Sequence, residues 1–162
     1  FLKSILTLKR QDISSKILKD YLGQFWAFSS ARQIKRKIIY HMGPTNSGKT
    51  YHAIEALSKV EKGCYLAPLR LLAAELYDTL NEKGVKTSLL TGEEVIEVPE
   101  STHSSSTIEM AKFGEIFDCC VIDEIQMITD PQRGWAWTRA LVNIFSPDIS
   151  FPKAKVRESL SK

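Results

Sequence analysis

The stretch Gly43-Pro-Thr-Asn-Ser-Gly-Lys-Thr50 satisfies the pattern GxxxxGK[ST] at every position. Its residue types suit one task, holding phosphate. Glycines let the backbone bend into an anion-binding nest, whose N–H groups, with those of a following helix N-terminus, meet a β-phosphate. Lys49 would neutralise charge on the β- and γ-phosphates, and the hydroxyl of Thr50 would ligate Mg²⁺. Gly43, Pro44, Thr45, Asn46, Ser47, Gly48, Lys49 and Thr50 are therefore candidate ligands of ATP. Read alone, the same residues also describe a Gly-rich turn with a solvent-facing lysine, so a second element has to decide.

That element is Cys119-Cys-Val-Ile-Asp-Glu124, an apolar run ending in two acids. At the C-terminal end of a strand in a parallel sheet, Asp123 and Glu124 would face the ligand crevice. Asp123 would hold Mg²⁺ through water, and Glu124 would orient or deprotonate the water that attacks a γ-phosphate. Asp123-Glu-Ile-Gln126 departs from the DEAD and DExH spellings, but the metal and base positions are intact. Gln126 either relays nucleotide state through its amide or caps the next turn. Lys49, Asp123, Glu124 and Gln126 are the candidate catalytic set.

Two further segments separate a generic phosphate-binding enzyme from one that moves on nucleic acid. Ala67-Pro-Leu-Arg-Leu-Leu-Ala73 follows an apolar run and opens a helical one, so Arg70 and helix-start amides can face a backbone phosphate. Thr91-Gly92 ends another apolar run and offers a hydroxyl and a tight backbone N–H to the same strand. Each segment taken alone is also ordinary loop chemistry.

The elements that must position these groups alternate in period. Residues 37–42 read as a strand ending at Gly43-Pro44, and a helix runs on from the loop to about 57. Residues 64–67 form a strand, 69–80 a helix rich in Leu and Ala, and 86–90 a strand. Residues 93–100 are an acidic loop or hairpin, 102–107 a strand, 108–112 a short helix and 117–123 a strand. Upstream, Ile5, Leu8, Ile13, Ile17, Leu18, Tyr21 and Leu22 recur mostly at helical spacing, which predicts one or two amphipathic helices over 4–28 and a linker over 29–33. Alternating strands and helices imply an α/β fold, a parallel sheet covered on both faces. Pro147, Pro152 and the Lys and Ser residues of 153–162 suggest a frayed tail.

Composition excludes some classes. The chain has 162 residues, 43% hydrophobic and 25% charged, as expected of one soluble globular domain. No run approaches the roughly 18–20 apolar residues of a membrane-spanning helix, and no membrane partner is expected. The net charge of +3 conceals an asymmetry, since residues 1–40 carry nine Lys or Arg against Asp12 and Asp20, leaving the remainder acidic. A basic front suits nucleic acid, and equally a solvated helix face. Cys64, Cys119 and Cys120 form neither a disulfide framework nor a metal knuckle, and His41, His52 and His103 have no ligand-like spacing, so no structural metal is expected. The chain opens on Phe1, which suggests a missing or processed start. Residues 1–22 are Lys-rich, but Asp12 and Asp20 depart from the acid-poor composition of a transit peptide.

Four stretches together closely resemble one family: Met42-Gly-Pro-Thr-Asn-Ser-Gly-Lys-Thr-Tyr-His-Ala53, Ala67-Pro-Leu-Arg-Leu-Leu-Ala73, Val121-Ile-Asp-Glu-Ile-Gln-Met127 and Asp130-Pro-Gln-Arg-Gly-Trp-Ala-Trp-Thr-Arg-Ala140. The sequence is similar over 36–141 to the mitochondrial ATP-dependent RNA helicases of the suppressor-of-Var type, superfamily-two enzymes. The resemblance implies a RecA-like first motor domain over 36–145 after a helical segment over 1–35. It also implies ATP-driven unwinding of RNA or RNA–DNA duplexes, an exoribonuclease partner in RNA decay, and location in the mitochondrial matrix. It maps 43–50 onto a Walker A motif and 123–126 onto a Walker B motif. It places Pro68, Arg70, Thr91, Gly92, and Ser106 and Thr107 with the run on to Met110, along the RNA backbone.

The family carries a further strand after the Trp-Ala-Trp segment, lying in the sheet between the two Walker strands. Here Asp148-Ile-Ser-Phe151 would begin it, but Pro152 follows, and proline cannot donate to a central ladder. Residues 146–162 are thus expected to diverge as a tail, and the chain to be a C-terminally truncated motor without the second domain and its arginine fingers. Such a chain would hydrolyse ATP poorly and unwind nothing. The alternative is a non-catalytic fragment that binds nucleotide or RNA. A small P-loop kinase is set aside for want of an acceptor lid with its Arg cluster.

Overall fold

The computed structural model describes residues 30–43 and 49–154. The helices expected over 4–28 lie outside them. Seven strands and three α-helices follow in order: β1 Lys37–Gly43, α1 Lys49–Ser58, β2 Gly63–Ala67, α2 Arg70–Glu82, β3 Thr87–Leu90, β4 Val95–Ile96, β5 His103–Thr107, β6 Cys119–Ile122, α3 Gly134–Asn143 and β7 Asp148–Ala154. Single 3₁₀ turns stand at Ser30–Gln33, Ile108–Met110 and Ile125–Thr129. The acidic stretch makes a hairpin, with β4 antiparallel to β3; every other pairing is parallel, in the order β1-β7-β6-β2-β5-β3-β4.

Burial on both faces explains why β2 and β6 lack polar alternation. Along β2, Cys64 and Leu66 join one core with Cys120, Ile122, Trp137 and Phe151, while Tyr65 and Ala67 join another with Ala53, Leu57, Leu76, Val121 and Leu89. The first core lies under α3 and the second under α1 and α2, so helices cover both faces. Helix α2 stops at Lys83 because Gly84, at φ +80°, turns the chain back, its N–H donating to the Asn81 carbonyl and that of Val85 to Leu80.

Helix α3 was legible only as part of the family resemblance. The Asp130 carboxylate accepts the N–H groups of Gln132 and Arg133 at 2.9 and 2.8 Å, setting the turn that launches it. A Cβ at Gly134 would stand 2.3 Å from the Ile128 carbonyl oxygen, so glycine is the residue that lets helix and turn approach.

The expectation that Pro152 breaks the last strand is corrected. β7 continues through Pro152 to Ala154, in register with β1 from Lys37↔Asp148 to Gly43↔Ala154, and it lies between β1 and β6. The Lys37 N–H donates to the Pro147 carbonyl at 2.7 Å, so odd-numbered residues of β7 turn their backbone groups toward β1 and even-numbered ones toward β6. Pairing with β6 ends at Val121↔Ser150. The donor that Pro152 lacks would be the next to reach β6, so the proline ends the β6 ladder there, while pairing with β1, served by odd-numbered residues, runs on to Ala154. Residues 148–154 are sheet, not tail.

Candidate functional site

Because β1, β7, β6, β2, β5 and β3 run parallel, their C-terminal ends share one edge of the sheet. Gly43, Asp123, Pro68, Ser106, Thr107 and Thr91 all stand at or just beyond those ends, where an open α/β sheet presents its ligand crevice. Gly43 closes β1, and Lys49 and Thr50 are the first two residues of α1. Pro44, Thr45, Asn46, Ser47 and Gly48 lie outside the described residues. Helix α1 packs over β1, β6 and β7. Odd-numbered residues of β6 face that side, Cys119 and Val121 sharing a core with Ala53 and Leu57, and Asp123 continues their alternation. The first acid of the Asp-Glu pair thus emerges on the sheet face that carries the start of α1.

Asp123 is held on three sides. It is 7% exposed. The Tyr65 hydroxyl donates to Oδ2 at 2.7 Å, the Glu124 N–H donates to Oδ1 at 2.8 Å, and the Trp137 indole N–H donates to the backbone carbonyl at 3.0 Å. Burial, then the negative charge of Asp123, raises the Tyr65 hydroxyl far above the usual tyrosine range, so this hydroxyl stays a donor at every physiological pH.

Glu124 occupies the left-handed region at φ 50°, ψ 49°, a conformation that costs a non-glycine residue roughly 1–3 kcal/mol and concentrates at functional sites. The bend turns the chain from β6 into the Ile125–Thr129 turn. Gln126 Nε2 donates to Glu124 Oε2, while Gln126 Oε1 is buried without a hydrogen-bond partner. The Gln126 side chain thus turns toward Glu124.

The residues expected along the RNA backbone are brought to the same edge, and the Arg70 and Thr91 side chains are already engaged there. Arg70 pairs with Glu93, both side chains exposed. The Thr91 hydroxyl closes a turn, donating to the Glu94 carbonyl and accepting the Glu94 N–H, each at 3.0 Å. Gly92 is exposed with open space beside its Cα. Ser106 is buried, and Thr107 pairs in register with Ala67.

Sequence reasoning did not single out Tyr65, Trp137 or Arg133, and it took Glu109 only as part of the run Ser106–Met110 along the RNA backbone. Arg133 gives Nε and Nη2 to Glu109 Oε1 at 2.9 and 2.7 Å and Nη2 to the Pro68 carbonyl at 2.7 Å, and its guanidinium lies 5.5 Å from the Trp137 ring centroid. One arginine therefore ties the loops after β2 and β5 to the indole that pins Asp123. The one available signal was the Arg-Gly-Trp-Ala-Trp spacing; the pairing partners depend on strand register.

Residues 25–159 match the family described as the DEXQ-box helicase domain of Suv3. The chain belongs to this helicase family. Gln126 is the letter that distinguishes its box from the DEAD and DExH spellings. The sequence is 53% identical over 126 residues to ATP-dependent RNA helicase SUPV3L1, mitochondrial, of Danio rerio and 48% identical over 126 residues to that of Homo sapiens, in each case 75% of this chain and 16% of the relative. It is 50% identical over 122 residues to the mitochondrial DExH-box ATP-dependent RNA helicase DExH18 of Arabidopsis thaliana, again 75% of this chain and 16% of that protein. The chain thus spans about a sixth of the length of these curated relatives.

Two solved structures share the fold. An arterivirus nonstructural protein 10 helicase, in complex with DNA, superposes with TM-score 0.53 at 16% identity over 76% of this chain and 29% of that one. A nuclease-deletion mutant of the type ISP restriction-modification enzyme LlaGI, bound to a DNA substrate mimic, gives 0.51 at 15% identity over 76% and 14%. Membership in a helicase family implies use of a nucleotide, and the RecA-like sheet with helices on both faces is the fold expected from the sequence.

Proposed function

We propose that this chain is the first motor domain of a mitochondrial ATP-dependent RNA helicase, binding ATP with Mg²⁺ at residues 43–50 and 123–126. The supporting observation is that Asp123, nine-tenths buried and held by Tyr65 and Glu124, leaves β6 on the sheet face covered by the helix that Lys49 and Thr50 open. The ATP-binding domain begins near residue 36 and includes β7.

The donor set suits Mg²⁺. Among the described residues no three His, Cys, Asp or Glu side chains gather as a cage, and Mg²⁺ characteristically takes one or two carboxylates and completes its shell with water and substrate phosphates. Asp123 would hold the ion through one of those waters, and its two accepted hydrogen bonds leave lone pairs on both oxygens to receive it. Thr50 would supply the hydroxyl. When bound, the ion neutralises charge on the transferring phosphoryl group. Lys49 binds the phosphates, Glu124 orients the attacking water and accepts its proton, and Gln126 holds the Glu124 carboxylate. RNA passes along the edge formed by Pro68, Arg70, Thr91, Gly92, Ser106 and Thr107, and an exoribonuclease partner degrades what the motor unwinds.

The test is equilibrium binding of a fluorescent ATP analogue with Mg²⁺ to the full chain and to Lys49→Ala, followed by single-turnover hydrolysis with and without single-stranded RNA. Saturable binding lost in Lys49→Ala, with hydrolysis stimulated by RNA, is the expected result; binding that survives Lys49→Ala rejects the site. A second reading, a non-catalytic module that binds nucleotide or RNA, is favoured by one observation: Arg70 and the Thr91 hydroxyl already have intramolecular partners. Nucleotide binding with no RNA stimulation would select it.

A further inference from the structure

We propose that Tyr65 is a positioning residue that sets the Mg²⁺ requirement of nucleotide binding by orienting the Asp123 carboxylate. The inference rests on the assignment of Asp123 to the metal.

Tyr65 stands in the middle of β2, 2% exposed, with its ring packed in the core under α1 and α2. A tyrosine hydroxyl buried so deeply needs a partner, and Asp123 Oδ2, at 2.7 Å, is the one the fold supplies. Parallel pairing of β2 with β6, through Tyr65↔Val121 and Leu66↔Ile122, sets this meeting. Tyr65 and Asp123 lie on the same face, and the length of the phenol spans the offset between them. The ring is buried in one core with Ala53, Leu57, Leu76 and Val121, which restrains the hydroxyl.

The carboxylate is fixed in consequence. Its other oxygen accepts the Glu124 N–H, and its own backbone carbonyl is held by Trp137. Rotation about the Asp123 side chain would break the bond to Tyr65. A carboxylate oriented before the metal arrives needs no reorganisation when it takes up a metal-bound water, and partners of this kind commonly change metal affinity about 10- to 100-fold when removed. Orientation matters here because a metal-bound water requires a particular lone pair.

Tyr65→Phe removes the hydroxyl and leaves the packing ring. In the full chain we expect the Mg²⁺ concentration for half-maximal binding of a fluorescent ATP analogue to rise about tenfold, with the affinity measured in EDTA unchanged. In an Asp123→Ala background, Tyr65→Phe should then produce no further rise. An unchanged or lowered Mg²⁺ requirement in Tyr65→Phe overturns the inference while leaving the nucleotide site standing. So does an equal loss of affinity with and without Mg²⁺, the mark of a purely structural role. If the parent chain fails to bind the analogue, the functional reading falls and takes this inference with it. Should Tyr65→Phe not fold, fluorotyrosine placed at position 65 of the otherwise unaltered chain decides by ¹⁹F NMR. A resonance that moves when Mg²⁺ is added to the nucleotide-bound chain supports the role, and one that does not move rejects it.

Discussion

Trp137 joins the core to the candidate site, and replacing it should separate two energies. The indole is fully buried among Ile108, Ile125, Ala136, Ala140 and Phe151, and its N–H donates to the Asp123 carbonyl at 3.0 Å. Trp137→Phe keeps an aromatic ring there but orphans that carbonyl, at a cost of about 1–3 kcal/mol. Trp137→Ala adds the lost packing and the cavity, for a total of at least about 3–5 kcal/mol. Typical domains have only about 5–15 kcal/mol of stability, so the alanine variant should be largely unfolded or close to it. The phenylalanine variant should fold with a lower midpoint. Urea unfolding followed by far-UV circular dichroism measures both, and the m-value should stay constant if the transition remains two-state. A Trp137→Phe chain within about 0.5 kcal/mol of the parent, the range of an ordinary surface change, would refute the claim that the indole N–H is what satisfies Asp123.

Cys64, Cys119 and Cys120 are all buried, and burial pushes the Cys119 thiol up to about 12 and that of Cys120 well above its ordinary value. Because thiolate is the reactive form, all three should resist iodoacetamide at pH 8 and become modified only in denaturant; fast labelling of the native chain by mass spectrometry contradicts this. His103, 4% exposed and bonded to the Leu57 carbonyl and the Thr102 hydroxyl, has its pKa lowered by burial, which outweighs the opposing pull of Leu57 and Asp118. Its neutral form is therefore favoured by folding, and its contribution is complete above the unfolded value of about 6.5 and lost as pH falls through the lower folded value. The urea midpoint should drop between pH 7.5 and 5.5, less steeply in His103→Gln; parallel pH dependences in the two chains count against it.

The parts of this fold that could be read beforehand are those written in local pattern. The run 64–67 is apolar throughout and became β2, fully buried; Cys119 to Ile122 did the same. Gly43 followed by Lys49 and Thr50 marked a strand end and a helix start at the right separation. What escaped depends on register between segments far apart in sequence. Nothing near Tyr65 says that a carboxylate 58 residues later will receive its hydroxyl, and nothing near Arg133 points to the Pro68 carbonyl 65 residues earlier. Pro152 misled for a related reason. Its effect depends on which neighbour its missing N–H would face and where that neighbour's pairing ends, which a rule about central strands cannot state. Arg70 and Thr91 reached the expected edge, yet their side chains were taken up by Glu93 and Glu94 of the β3–β4 hairpin; the Thr91 contact is local, whereas Arg70 meets Glu93 across 23 residues of chain.

The place of β7 also bears on how the chain acquires this structure. Among the described residues, β1 has β7 as its sole strand partner, and the pair Lys37↔Asp148 is separated by more than a hundred residues. Closing so long a loop is entropically costly and tends to make folding slow. During synthesis, the strand that leads into Gly43 has no rung to join until residues 148–154 have been made, while β2, β3 and β5 can already assemble with α2. The Gly43 side of the sheet is thus assembled late, and a ribosome-bound chain ending before β7 would present β1 as an unpaired edge.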